Sequence, residues 1–177
     1  MLAKSFHSVG LNEILAAVKV PKGSFYHYFE SKEQFGVELL KHYVEEHSER
    51  LRSFLLGSTE LNPMERFTTF LDGAISRMLE GQCRQFCLVG KLGAEVSTFS
   101  EPMREVLAQG MRDWRGVYEA LVREGQEKHV MRKGLDPAMA AAIIQDLWQG
   151  AMHRSQIERS VAPVRNGALF LRAYLAA

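Results

Sequence analysis

The sequence predicts an all-α protein, an N-terminal helix-turn-helix unit followed by a larger helical domain. Three observations predict it. Apolar residues recur at three- and four-residue intervals, as in Met64, Phe67, Phe70, Leu71, Ile75 and Met78. Proline closely follows a capping residue at Asn62-Pro63, Ser100-Glu101-Pro102 and Asp136-Pro137, which punctuates helix starts. No stretch sustains the strict alternation of a half-buried strand.

The bounds of the chain narrow its chemistry. At 177 residues it suits one domain or two small ones. Its formal net charge of +1 gives no overall basic field for nucleic acid or anionic membrane. No apolar run reaches the ~20 residues that cross a bilayer, and Met1-Leu2-Ala3-Lys4-Ser5-Phe6-His7 lacks the apolar core of a signal peptide. Cys83 and Cys87 do not make a disulfide framework. A cytoplasmic protein with two reduced thiols is expected, with no membrane partner and no cofactor.

Leu11 to Ala17 predicts a first short helix, with Ile14 and Leu15 among its apolar residues. Val18-Lys19-Val20 makes a tight connection to a second, with Pro21 at its first position, where the missing N–H costs nothing. Two short helices joined by about three residues have the plan of a helix-turn-helix. In the second helix Phe25 and Phe29 are four apart and share a face. Lys22, Ser24, Tyr26, His27 and Tyr28 are largely left for the other faces.

In a helix-turn-helix the second helix enters the DNA major groove. Lys22 suits a phosphate or guanine. Ser24, Tyr26, His27 and Tyr28 suit phosphates and base edges, with carbon surface for thymine methyls. Gly23 lets the backbone come close. Ser31 and Gln34 have capping-box spacing ahead of a long helix running to about Leu56, and Lys32 in its first turn is placed for a phosphate. The same residues also fit an aromatic-rich packing helix. The combined order of turn, proline, Lys-Gly-Ser, aromatics and capped helix favours the DNA-reading alternative.

Leu11 to Phe35 resembles the DNA-binding segment of the tetracycline-repressor (TetR) family of bacterial transcriptional regulators, above all in Gly-Ser-Phe-Tyr-His-Tyr-Phe-x-Ser-Lys-Glu at residues 23 to 33. The resemblance implies contacts to double-stranded operator DNA at Lys22, Gly23, Ser24, Tyr26, His27, Tyr28 and Lys32. It implies that Phe25 and Phe29 hold the helix to its own small core. It also implies a full helix ahead of the unit. Only Met1 to Phe6 stand for its end here, Ser5 replaces the usual glycine, and the first helix is expected to be truncated or reduced. Val9 and Gly10 replace the family's frequent Thr and Ser, so they are not expected as DNA ligands. Residues 1–47, the expected DNA-binding domain, carry five Lys and six Glu, a poor balance for phosphate neutralisation.

Residues 48–177 form the expected ligand-binding and dimerisation domain. After the loop at Gly57, Asn62 caps a helix that Gly81 closes. Residues 83–96 predict the next helix. Ser100 opens one to about His129, Asp136 one to about Ser160, and Ala162-Pro163 the last. Ala138 to Ala142, with Gly150 and Ala151, permit close helix approach. Ala168 to Leu175 is apolar on more than one face. The family plan makes the last two long helices a homodimer interface, and two reading heads need two-fold symmetry for half-sites ~34 Å apart. Packing inside one chain is the other explanation of the same apolar surface.

Cys83, Cys87, Lys91 and Glu95 are each four apart, a slowly drifting row on one helix. Lys91 would stabilise a Cys87 thiolate, and Glu95 would instead neutralise Lys91. A small buried cysteine and a solvated Lys–Glu pair explain the row equally simply. No Cys-x-x-Cys or clustered His completes a metal site. Phe86 to Glu95 is similar to the sixth helix of the family branch that represses genes for detoxifying reactive electrophiles or small unsaturated acids. That resemblance implies a helix lying against the cavity of a small-molecule effector. Trp114, Tyr118, Trp148 and His153 are further candidates to line it, since such cavities are mostly apolar with few polar groups.

The expected function is a DNA-binding regulator that an effector releases from its operator, and not an enzyme. The alternatives are a helical electrophile-binding enzyme or sensor using Cys87 without DNA, and a helical adaptor that binds only protein. No Ser/His/Asp set, phosphate loop or metal motif supports an enzyme.

Overall fold

The computed structural model describes residues 6, 8–57, 60–83 and 88–177, with the backbone alone at residues 88, 90, 91 and 94. Among the described residues there are eight helices: α1 (Leu11–Ala17), α2 (Lys22–Tyr28), α3 (Lys32–Leu56), α4 (Pro63–Glu80), α5 (Leu88–Val96), α6 (Glu101–Glu127), α7 (Pro137–Glu158) and α8 (Ala162–Leu175). One isolated antiparallel bridge joins Met131 to Ala176. The all-α fold with its N-terminal helix-turn-helix is thus the one the periodicity predicts.

The chain forms two compact units. One comprises Met1–Glu46 and Phe86–Gly110, the other His47–Gln85 and Met111–Ala177. In the first, α1 packs on α2, and each buries one side chain, Leu15 and Phe25. Phe25 meets Phe29 at 5.2 Å and Phe35 at 5.7 Å between ring centroids. Phe35 also meets Phe29, at 5.2 Å, so these three rings join the short helix to the start of α3.

In the second unit α7 and α8 are an antiparallel pair held by small residues. A Cβ on Gly167 would stand 3.0 Å from Leu147 Cδ2 and 3.2 Å from the Ala151 Cβ. Ala140, Ala141, Ala168 and Leu171 are buried with them. Helix α4 packs on α8, where Arg172 Nη2 reaches Asp72 Oδ1 at 2.5 Å.

Helix starts follow the punctuation in the sequence. Asn62 Oδ1 accepts from the backbone N–H groups of Met64 and Glu65 at 2.9 and 3.0 Å, and Glu65 returns an acceptor to the Asn62 N–H at 2.8 Å. Asp136 Oδ1 accepts from the Met139 N–H at 2.8 Å. Two starts differ from expectation. Pro21 is the N-cap of α2, its extended ψ of 144° leaving Lys22 as the first helical residue. At α3 the Gln34 N–H donates to Ser31 Oγ at 3.1 Å, but the Gln34 side chain accepts from Glu30 N–H at 2.6 Å, one residue before the expected partner.

Four helices stop in the same way. Lys19, Gln82, His129 and Arg159 adopt left-handed φ values of 56°, 50°, 60° and 50°. The N–H of the next residue folds back onto the helix: Val20 to Leu15 O at 3.0 Å, Cys83 to Met78 O at 2.8 Å, Val130 to Gly125 O at 2.9 Å, and Ser160 to Ser155 O at 3.0 Å. These are Schellman terminators built without glycine. They correct three boundaries. The helix expected over 83–96 begins at Leu88 among the described residues, because Cys83, itself at φ 54°, completes the stop of α4. Cys83 therefore shares no helix row with Lys91 and Glu95. Helix α6 ends at Glu127 before the left-handed His129, and α7 ends at Glu158 before the left-handed Arg159.

Candidate nucleic-acid interface

The turn between α1 and α2 is built from local rules. Lys19 reverses the chain in the left-handed region, and Pro21 holds φ at −63° to start α2. The seven-residue helix Lys-Gly-Ser-Phe-Tyr-His-Tyr then buries one side chain, Phe25, at 4% exposure. Lys22, Gly23, Ser24, Tyr26, His27 and Tyr28 are all exposed. Tyr26 is 52% and Tyr28 73% exposed, values at odds with a packing helix, whose aromatics would be covered.

Two contacts are made among the exposed side chains. Lys22 Nζ lies 5.9 Å from the centre of the Tyr26 ring. The His27 and Tyr28 rings meet edge to face at 5.0 Å. A Cβ on Gly23 would meet nothing within 4 Å, so nothing in the chain requires a glycine there. The helix thus offers one cation, two phenols, an imidazole, a hydroxyl and a bare stretch of backbone. That set can both donate and accept hydrogen bonds.

Lys32 is placed differently. It is half-buried, its ammonium donates to the Phe6 carbonyl at 2.5 Å, and it lies 4.7 Å above the Phe6 ring. Next to it Glu33 Oε1 accepts from the Ser100 hydroxyl at 2.5 Å. Sequence reasoning placed Ser100 at the start of α6 but missed its tie to Glu33 and that of Lys32 to Phe6, because partners 67 and 26 residues apart leave no periodic signal. Phe29, expected as an anchor, is half-buried at the C-cap of α2.

The expected effector residues among the described ones are carried by α5, α6 and α7. Cys87 and the side chain of Lys91 lie outside them. Glu95 is half-buried on α5, within the first unit. Trp114, Tyr118 and Trp148 are buried in the second unit and His153 is exposed there. Trp114 Nε1–H donates to Ser48 Oγ at 2.8 Å and its ring meets His47 at 4.5 Å. Tyr118 meets Phe70 at 6.5 Å. An open hollow of about 520 Å³ in the second unit is lined by Leu79, Gln82, Cys83, Arg159, Ser160 and Val161, none of them an expected effector ligand. There Arg159 Nη1 donates to the Cys83 carbonyl at 3.1 Å, and Cys83 itself is buried.

Among the described residues no group of three or more His, Cys, Asp or Glu is arranged to hold a metal ion, and no helix is long and apolar enough to cross a membrane.

Comparison with known proteins adds two family matches. Residues 1–39 match the family described as bacterial regulatory proteins, tetR family, and residues 63–169 match the tetracyclin repressor-like C-terminal domain. The chain is 34% identical over 175 residues to the HTH-type transcriptional repressor NemR of Escherichia coli, covering 99% of this chain and 87% of that protein. It is 35% identical over 164 residues to the transcriptional regulator AcuR of Cereibacter sphaeroides, covering 92% of this chain and 74% of that protein. A crystal structure of the reduced form of E. coli NemR superposes with a TM-score of 0.87 at 34% identity, over 99% of this chain and 91% of that one.

Proposed function

The chain belongs to the TetR family of transcriptional regulators, and on that premise we propose that it is an effector-responsive repressor whose α2 reads operator DNA. The observation that carries this is the inversion of α2: its aromatics face outward while Phe25 alone is buried. In this reading Lys22, Ser24, Tyr26, His27 and Tyr28 contact phosphates and base edges, and Gly23 admits the sugar–phosphate backbone. Lys32 adds a phosphate contact from the first turn of α3. Residues 1–47 act as the DNA-binding domain and residues 48–177 as the effector and dimerisation domain. Two copies pair through α7 and α8, where Met139, Ile157, Leu169 and Phe170 are exposed, so that two α2 helices meet paired half-sites.

The effector acts by differential affinity. A ligand that binds the form unable to grip both half-sites shifts the population away from DNA. Cys87, four residues before Lys91, is the proposed sensing thiol. The resemblance of residues 86–95 supports it, as does the description of the E. coli relative's structure as a reduced form.

The test of the reading head is an operator gel shift. Lys22→Ala and Tyr26→Ala should each weaken binding while leaving the dimer intact, and unchanged affinity in both would remove the assignment. An electrophile or oxidant should lower operator affinity in the wild type and not in Cys87→Ser. Equal responses would remove the sensing thiol.

A further inference from the structure

We propose that Ser100, at the N-terminus of α6, is a positioning residue for operator recognition that acts through Glu33. The inference rests on the reading of α2 as the operator-reading helix. All of its residues lie in the first compact unit.

Ser100 is 2% exposed, and its hydroxyl does two things. Its oxygen accepts from the Met103 N–H at 3.4 Å, which caps α6, while its carbonyl accepts from Arg104 N–H at 3.0 Å. Its proton goes to Glu33 Oε1 at 2.5 Å. A buried hydroxyl needs an acceptor, and a carboxylate gives a short, charge-assisted bond. Glu33 is the second residue of α3, directly after Lys32 with its hold on the Phe6 carbonyl. One turn later Gly36 completes the contact. A Cβ there would stand 1.9 Å from Met103 Cε and 2.5 Å from Phe6 Cζ. Phe6 in turn stacks on Phe99, with centroids 6.3 Å apart. Residues 32, 33 and 36 of α3 are therefore fastened by Phe6, Ser100 and Met103.

The first turn of α3 carries the reading head. Phe35 touches both Phe25, the buried anchor of α2, and Phe29 at its C-cap. Whatever fixes the first turn of α3 fixes the angle at which α2 leaves it. Without the tie, α2 samples orientations that do not fit the groove. The apparent dissociation constant then rises in proportion to the lost competent fraction. A hydrogen bond to a charged group corresponds to about a tenfold effect.

The sign of the Glu33 effect separates positioning from plain electrostatics. Removing a carboxylate beside DNA on its own strengthens binding, because it removes repulsion from phosphate. Positioning predicts the opposite.

The experiment uses Glu33→Ala, Ser100→Ala, their double variant and Ser100→Thr in the full chain. The probe is a duplex selected from a random pool by the wild-type protein. Glu33→Ala and Ser100→Ala should each raise Kd about tenfold with the salt slope unchanged. The double variant should be no weaker than the weaker single, and Ser100→Thr should bind as wild type. A lowered thermal midpoint with unchanged Kd, tighter binding by Glu33→Ala, or additive losses would each overturn the proposal. Amide exchange across residues 11–28 provides a readout that needs no DNA. It should quicken in Glu33→Ala and Ser100→Ala while α7 and α8 stay protected; unchanged exchange would overturn the proposal. If the wild type selects no duplex, the operator reading fails, and the exchange result still decides whether Ser100 and Glu33 order α2.

Discussion

Arg66 on α4 is buried, and its Nη2 meets Glu124 Oε1 on α6 at 2.6 Å. Glu124 also takes Lys128 Nζ at 2.8 Å. Burial raises the Glu124 carboxyl, but hydrogen bonds from Arg66 and Lys128 and their charges outweigh it, so the net shift is downward. A carboxyl depressed in the folded state contributes stability that is present above its unfolded value and lost as pH falls through the folded one. Glu124→Gln would leave the Arg66 charge buried without its counter-charge. We expect a loss of about 3 kcal/mol at neutral pH, since stranding one member of a buried pair costs that much. The loss should shrink as wild type is acidified below the ordinary carboxylate range. Chemical denaturation at a series of pH values checks it, and a pH-independent difference would refute the linkage.

Gly23 gives a prediction in which stability and binding part. A Cβ there meets nothing in the chain, and alanine is the better helix former by about 1 kcal/mol. Gly23→Ala should therefore hold or raise the thermal midpoint. If the backbone of α2 approaches DNA closely, the added methyl group should weaken operator binding by about tenfold or more. A variant that is more stable and binds as wild type would show that Gly23 does not face DNA.

How far the sequence led differs between elements. Helices α4 and α7 were legible because a capping residue and a proline agree at each start, and α8 from its proline and apolar run without a capping side chain. Helix α2 was legible from its aromatic run. The stop of α4 was legible in place but not in form: Gly81 is its C-cap, yet Gln82 and Cys83 take the left-handed positions, and side-chain identity barely signals that geometry. The row Cys83, Lys91, Glu95 failed for the same reason: fourfold spacing means a shared face only while the helix is unbroken. The ties from Lys32 to Phe6 and from Glu33 to Ser100 are tertiary, so no local pattern encodes them.

The glycine-free terminators make the next prediction. Gln82 and His129 both hold φ near 50–60°. A side chain in that region costs about 1–2 kcal/mol, part of which glycine returns as chain entropy. Gln82→Gly and His129→Gly should each gain up to about 1 kcal/mol, and a gain of that size raises the midpoint of a chain this long by about 2–4 °C. Scanning calorimetry checks it. A fall in either variant would mean that its side chain contributes more than the backbone relief.

The outer face of α8 supplies the last prediction. Leu169 is 63% and Phe170 53% exposed, and the Phe170 ring stacks on Tyr174 at 6.0 Å. In the proposed two-fold pair this exposed apolar surface is covered by its own copy. In a two-fold pair each substitution acts twice, because the same patch lies on both subunits. Leu169→Glu would bring two carboxylates into one apolar interface, and neither could be desolvated cheaply. The variant should run as a monomer where the wild type runs as a dimer in sedimentation velocity, with its helix content kept. Operator binding should then fall by about a hundredfold or more, because a single head engages only one half-site and loses the effective concentration that linkage provides. A Leu169→Glu protein that remains dimeric would move the interface off this face of α8. A monomeric variant that binds operator as tightly as wild type would instead remove the requirement for paired reading heads.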